Sequence, residues 1–237
     1  MGIVLHGVAA GKGIALGRAH LVVRGHEEVP QYDLAENEIA AETARFEAAI
    51  KTTRRQLEQI RSTIPENAPT ELGAFISLHL MLLTDVTLSR EPLDIIEEQH
   101  INAEWALKIQ TDRLSQQFEA INDEYLRTRK QDMLQVVERI HNNLAGSGNE
   151  LNLDANLLDD TILIAHDLSP ADTVHLKEQR VTAFVTDAGG PTSHTAILGR
   201  SLDIPSVIGL RNARQLISEH EWVIVDGING VLIINPD

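Results

Sequence analysis

The chain has 237 residues, 43% of them hydrophobic, which is enough for one large or two modest domains with real cores; no apolar run approaches the roughly 18 residues of a membrane span. Its 35 acidic against 20 basic residues give a formal charge of −15, which argues against a nucleic-acid binder and favours solubility or attraction to a basic protein partner. The absence of cysteine excludes disulfides and thiolate chemistry, and the start Met1-Gly-Ile-Val-Leu-His-Gly7 lacks the charged opening and long apolar core of a signal peptide, so a cytoplasmic location is expected.

Residues 3 to 23 read as short strands punctuated by Gly11, Gly13 and Gly17 among Ile14, Leu16, Ala19 and Leu21. The run from Gly7 to Gly13 is one residue short of G-x-x-x-x-G-K and lacks the Ser or Thr that would hold a metal. A hairpin turn, not a phosphate loop, is expected there. After Pro30 the period becomes helical. Asp33 with Glu36 makes a capping-box-like start, and Ile39, Phe46, Ile50, Leu57, Ile60 and Ile64 recur on one face until Pro65 stops the helix. A second helix is expected over residues 71–83 and a third segment over 85–100, broken near Pro92. Asn102 and Asp123 are candidate caps for two more helices. The first carries Trp105, Ile109, Leu114, Phe118 and Ile121; the second carries Leu126, Met133, Val137, Ile140 and Leu144, before Gly146-Ser-Gly148 closes the run. Each has a single apolar stripe, so residues 33–145 are expected to pack as two helical hairpins in an antiparallel bundle.

From Thr161 strands alternate with short helices. Strands are expected at 162–165, 181–186, 206–208, 223–225 and 231–234. Ser169-Pro170-Ala171-Asp172 opens a helix with a cap, a proline at the first position and an acid at the third. The amino-terminal strands have no core of their own and belong with these. Residues 1–32 and 146–237 are therefore expected to form one discontinuous domain with 33–145 inserted, in the α+β or α/β class.

The second of these strands runs into Asp187-Ala188-Gly189-Gly190-Pro191-Thr192-Ser193-His194. Gly189 and Gly190 permit close backbone approach, and Thr192 or Ser193 can cap a helix carrying Ala196, Ile197 and Leu198. His194 then falls in the first helical turn, where unpaired amides and the positive end of the helix dipole gather. A neutral imidazole is a nucleophile. A phosphoryl group on it would set its charge against those amides and the hydroxyls of Thr192 and Ser193. The pattern points to a phosphohistidine; the plain alternative is a helix start whose histidine only caps or faces solvent. The ten histidines are otherwise scattered, with no H-E-x-x-H and no carboxylate cluster to point to a metal.

Gly189 to Ile197, with Gly199-Arg200-Ser201-Leu202 and Ile204-Pro205, resembles the active-site signature of enzyme I, the phosphoenolpyruvate–protein phosphotransferase of the bacterial sugar phosphotransferase system. The resemblance extends to residues 11–19, 79–83, 123–126 and 165–173, in the family's order over nearly the whole chain. It implies the amino-terminal half of such an enzyme: a swivelling phosphohistidine β/α domain with an inserted helical-hairpin domain. By this resemblance His194 is the nucleophile and phosphoryl carrier, Thr173 the threonine that hydrogen-bonds it, and Gly189, Gly190, Thr192, Ser193 and Arg200 support the phosphoryl group. Glu71, His79, Leu82 and Arg129 match positions that bind the phosphocarrier protein HPr, a histidine-containing partner with a basic-ringed apolar patch.

Pro191 departs from the family pattern, which has a basic or small residue there, and removes one backbone donor. The family's barrel domain, which binds phosphoenolpyruvate and Mg2+, is not among these 237 residues. The resemblance therefore implies a monomeric fragment with no cofactor of its own, drawn from a homodimeric enzyme, that exchanges phosphate with HPr. It leaves the sugar and nitrogen-linked branches both open. Two rival readings are the mobile phosphohistidine domain of a pyruvate-phosphate dikinase or phosphoenolpyruvate synthase, and a catalytically silent docking module. The first usually follows its histidine with alanine, where this chain has Thr195, and lacks a helical insertion.

Overall fold

The computed structural model describes residues 2–22, 29–64, 70–121, 124–146, 160–176, 181–191 and 193–236. In chain order its elements are β1 (Ile3–His6), β2 (Val8–Gly11), β3 (Ile14–Leu21), α1 (Ile39–Thr63), α2 (Thr70–Leu82), α3 (Val86–Ser89), α4 (Glu91–Gln99), α5 (Ala103–Ala120) and α6 (Glu124–Leu144). There follow β4 (Thr161–Ala165), α7 (Pro170–Leu176), β5 (Ala183–Thr186), α8 (His194–Leu202), β6 (Ser206–Ile208), α9 (Ala213–Leu216), β7 (Trp222–Asp226) and β8 (Val231–Ile234). Two compact units result, one of Met1–Arg24, Ile64–Phe75 and Leu151–Asp237, the other of Gly25–Thr63 and Ile76–Glu150. Residues 64–75 thus group with the sheet. Among the described residues no single helix is long and apolar enough to cross a membrane.

The first unit is built on one eight-stranded sheet in the order β1-β8-β7-β3-β4-β5-β6-β2. Pairings β3–β4, β4–β5 and β5–β6 are parallel; the others are antiparallel. Strands β4, β5 and β6 are buried at every position, and mostly apolar, because both their faces are covered. Ile162, Ile164, Ala183, Val185 and Val207 enter one core with Ala19, Val223 and Leu232. Leu163, Ala165, Phe184 and Ile208 enter the other, which α7 and α8 complete through Leu176, Ala196 and Leu202.

The hairpin expected at Gly11-Lys12-Gly13 does not form. β2 pairs with β6 at one end of the order, whereas β3 lies between β7 and β4, so the turn carries the chain from one part of the sheet to another. Gly11 is needed for close approach instead: a Cβ there would stand 1.9 Å from the Ile204 carbonyl oxygen.

In the helical unit α1 starts later than Asp33 and Glu36 imply. Asp33 is taken into an antiparallel bridge with Ile101, and the Ala35 amide donates to Glu38 Oε2 at 2.8 Å, the reciprocal half of a cap placed two residues on. The break in the third segment falls at Arg90, and Pro92 sits in the first turn of α4, where its missing N–H costs nothing. Asn102 precedes α5 but caps nothing; its side chain binds Tyr32 N, Pro30 O and Glu104. The capping role passes to Glu42 on α1, whose Oε1 accepts from Ala103 N at 2.7 Å. Arg45 closes this cluster with bonds to Glu42, to both oxygens of Glu104 and to the Leu144 carbonyl. The apolar stripe of α5 is also rotated, centred on Ala106, Leu107 and Leu114 with Trp105 and Ile109 at its margin. Pro65 and Asp123 lie outside the described residues.

Candidate active site

Parallel β4, β5 and β6 end side by side, so the loops after them share one edge of the sheet. In open α/β sheets ligands collect outside such carboxyl ends. The loops are zipped together by main chain. Asp187 N donates to Ala165 O and Ala188 N to His166 O, joining the β5 loop to the β4 loop; Gly209 N donates to Ala188 O and Arg211 N to Asp187 O, joining it to the β6 loop.

Across this edge the chain enters α8 by a sharp turn. Gly189 adopts φ +109°, a conformation open to glycine at little cost, and Gly190 has open space where a Cβ would stand. Ser193, not Thr192, is the N-cap: its backbone is extended and its Oγ accepts from Ala196 N at 3.2 Å. His194 is the first helical residue, as the spacing predicts. Its side chain, and Thr192 altogether, lie outside the described residues.

Two threonines flank this helix start. Thr173, on α7 beside α8, is fully buried and donates its hydroxyl proton to Pro170 O at 2.7 Å, so it offers a neighbour lone pairs rather than a proton. The Ser169–Asp172 capping box forms as expected and anchors that helix: Ser169 N and Oγ both donate to Asp172 Oδ2. Thr195, also fully buried, donates to Asp167 Oδ1 at 3.1 Å and Leu168 O at 3.3 Å, tying α8 to the β4 loop. Exposed Arg200 reaches back from the second turn of α8 to Pro191 O at 2.9 Å. No role for Asp187, Arg214 or the Thr195 hydroxyl is legible in the local sequence. Their partners lie 26 to 28 residues away, beyond any local pattern.

The residues matched to carrier binding separate. Glu71 is exposed at the start of α2 and Leu82 is half-buried at its end. His79, expected to meet a partner, is instead fully buried, with Nε2 3.9 Å from Asp132 Oδ1; Arg129 donates to Asp132 Oδ2 at 3.1 Å. His79 lies on the inner face of α2, where it and Arg129 share a buried carboxylate, while Met81 nearby on α2 is exposed. Among the described residues no three His, Asp or Glu side chains form a group suited to a metal ion.

A family model described as PEP-utilising enzyme, N-terminal matches residues 6–129, and one described as PEP-utilising enzyme, mobile domain matches 157–230. A phosphoenolpyruvate-protein phosphotransferase of Cupriavidus necator is 42% identical over 243 residues, covering 100% of this chain and 42% of its own length. Its Bacillus subtilis counterpart is 36% identical over 236 residues, covering 98% and 40%. The chain thus spans about two-fifths of the curated relatives it matches. A solution NMR structure of Enzyme I (nEIt) superposes with a TM-score of 0.74 at 36% identity, covering 98% of this chain and 93% of that one. The N-terminal domain of Enzyme 1 - Nitrogen gives 0.65 at 25% identity, covering 98% and 94%.

Proposed function

The chain belongs to the PEP-utilising enzyme family, as the amino-terminal half of an enzyme I, and we propose that it passes a phosphoryl group between the His194 imidazole and the histidine of the phosphocarrier protein HPr. The observation that carries this reading is the place of His194 in the backbone. It opens α8 directly behind the Ser193 cap and the Gly189-Gly190 turn, at the carboxyl ends of β4 and β5.

The chemistry is a displacement between two nitrogens. A ring nitrogen of neutral His194 attacks phosphorus as the N–P bond to the donor histidine breaks, and the reverse step returns the group. Such transfer needs in-line positioning and charge stabilisation more than proton transfer. The first amides of a helix have no partner within it and face the charge that would arrive. Ser193 holds that turn open, Gly189 and Gly190 let backbone come close, and Arg200 adds a cation while bracing Pro191. Thr173, its own proton given to Pro170 O, would offer lone pairs to the imidazole N–H if the two meet as the resemblance implies, which would favour the tautomer with the other nitrogen free to attack.

The helical unit would carry HPr, with Leu82 and Met81 presented on α2 and His79 acting from behind through Asp132 and Arg129, while Glu71 stands in the first turn of α2, among the residues that group with the sheet. The charge of −15 draws in a basic-ringed carrier. Phosphoenolpyruvate and Mg2+ would be handled elsewhere in a full-length enzyme of the cytoplasm. Thr195 and the helical unit weigh against a dikinase or synthase. The test is incubation of the chain with phosphorylated HPr, followed by phosphopeptide mapping under conditions that preserve N–P bonds. Acid-labile phosphate on His194 is expected; no label, or label that survives His194→Ala, overturns the reading.

A further inference from the structure

Asp187 directly precedes the Ala188-Gly189-Gly190 turn, is 6% exposed, and has every polar atom engaged. Its Oδ1 accepts from Ala213 N at 2.6 Å and its Oδ2 from Arg214 Nε at 2.9 Å. Its own amide donates to Ala165 O at 3.1 Å and its carbonyl accepts from Arg211 N at 2.9 Å. A carboxylate this buried needs such partners to remain charged at tolerable cost. The next residue is held as closely: Ala188 O accepts from Gly209 N and from Thr186 Oγ1. A Cβ on Gly209 would stand 2.7 Å from Gly189 O, so the segment 209–214 forms a floor on which the glycine turn rests.

We propose that Asp187 is a positioning residue for the phosphoryl transfer: by clasping Ala213 and Arg214 it sets the height of the Gly189-Gly190 turn, and so where His194 is presented to its donor. The inference rests on the phosphohistidine reading. Asp187 touches no reacting atom; it acts through the floor segment. Its loss should therefore slow the transfer step itself, since small misplacements of a reacting group are costly in rate. Carrier binding, which belongs to the helical unit in that reading, should change little.

Asp187→Asn tests this with little change of shape. Its amide oxygen can still accept from Ala213 N, but its NH2 then meets the Arg214 donor. Phosphorylated HPr is the probe, and label on His194 is timed by rapid quench with circular dichroism giving the folded fraction. Per folded molecule, the saturating rate is expected to fall about tenfold with the half-saturating carrier concentration within about twofold. Adding Arg214→Gln, whose amide oxygen can accept from the new side chain, should recover most of that loss. Undiminished saturating rates per folded molecule in Asp187→Asn and Asp187→Ala, with the unmodified chain labelled normally, overturn this inference and leave the function standing. An unmodified chain that takes no label overturns both.

Discussion

The Thr195 hydroxyl, one residue after the histidine that opens α8, donates to the Asp167 carboxylate in the loop after β4. Both groups belong to segments that no local pattern links, and the bond is buried on the threonine side. Thr195→Val preserves volume and β-branching but removes the donor, leaving Asp167 and Leu168 O each short of one partner. A cost of about 1–2 kcal/mol in urea unfolding is expected, with Thr195→Ser within about 0.5 kcal/mol of the parent chain. Equal unfolding midpoints for the valine and serine forms would show that the bond contributes nothing.

The Glu42–Arg45–Glu104 cluster predicts a pH dependence in the helical unit. Burial pushes both glutamates up, but hydrogen bonds from Arg45 outweigh it, with help from Ala103 N on Glu42 and from Asn102 on Glu104, and hold both carboxyls below the ordinary 4.5. Their contribution is therefore complete above the unfolded-state value and is lost as pH falls through the lower folded values. Arg45→Met removes the cation and leaves two neighbouring carboxyls 10% and 8% exposed at their side chains, so burial and mutual repulsion drive their folded values above the unfolded one. Stability near pH 7 should drop by roughly 2–3 kcal/mol, below the usual cost of breaking a buried pair because the Arg45 side chain is 34% exposed. The sign of the slope near pH 5 should also reverse, the variant gaining stability on mild acidification. Helical ellipticity followed through urea at pH 7 and pH 5 checks both; a variant that keeps the parent's slope contradicts the assignment.

How much of this was legible in the sequence follows from the range over which each feature is decided. Ser193 and the Ser169–Asp172 box are local, satisfied within three residues, and the helices they open begin where the spacing predicts. β4 and β5 were legible because double-sided burial makes them apolar but for Thr161 and Thr186 at their ends. Asn102 misled because a better acceptor, Glu42, arrives from another helix and releases it for the loop at Pro30 and Tyr32. The Gly11–Gly13 turn misled because adjacency in sequence mimics a hairpin, while the pairing depends on strands some two hundred residues onward. His79 presented the same ambiguity from another side. A histidine on an apolar helix reads equally as a contact or a core group until Asp132, on α6, is seen to lie beside it.

Glycine-to-alanine substitution should change sign between two positions. At Gly227 a Cβ would stand 1.8 Å from Gly11 O and 2.8 Å from Ser206 N, all backbone that cannot swing aside. Gly227→Ala is expected to cost roughly 3 kcal/mol or to prevent folding of the sheet unit. At Gly73, within α2, an added Cβ would meet nothing within 4 Å outside its own helix, so Gly73→Ala reduces the entropy of the unfolded chain and should stabilise by about 0.5–1 kcal/mol. Thermal melts of the two variants beside the parent decide it. Shifts of the same sign would mean that the close approach at Gly227 is not as described.

Arg200 and Pro191 make the last prediction. The guanidinium donates to the Pro191 carbonyl at 2.9 Å, so the loop that has lost a backbone donor to proline is braced by a side chain from the helix it leads into. Arg200→Met keeps the aliphatic stem and removes both the brace and the cation. A charged hydrogen bond of this kind is worth about 1.5 kcal/mol, so labelling of His194 by phosphorylated HPr should slow about tenfold. Arg200→Lys, a cation without the planar fork, should lie between. Pro191→Ala returns the amide at a cost in unfolded-state entropy of about 0.5–1 kcal/mol, and with Arg200 intact it should leave the labelling rate at or above that of the parent. If Arg200→Met labels as fast as the parent while Pro191→Ala is slow, loop stiffness and not the arginine governs the site, and the role given to Arg200 is wrong.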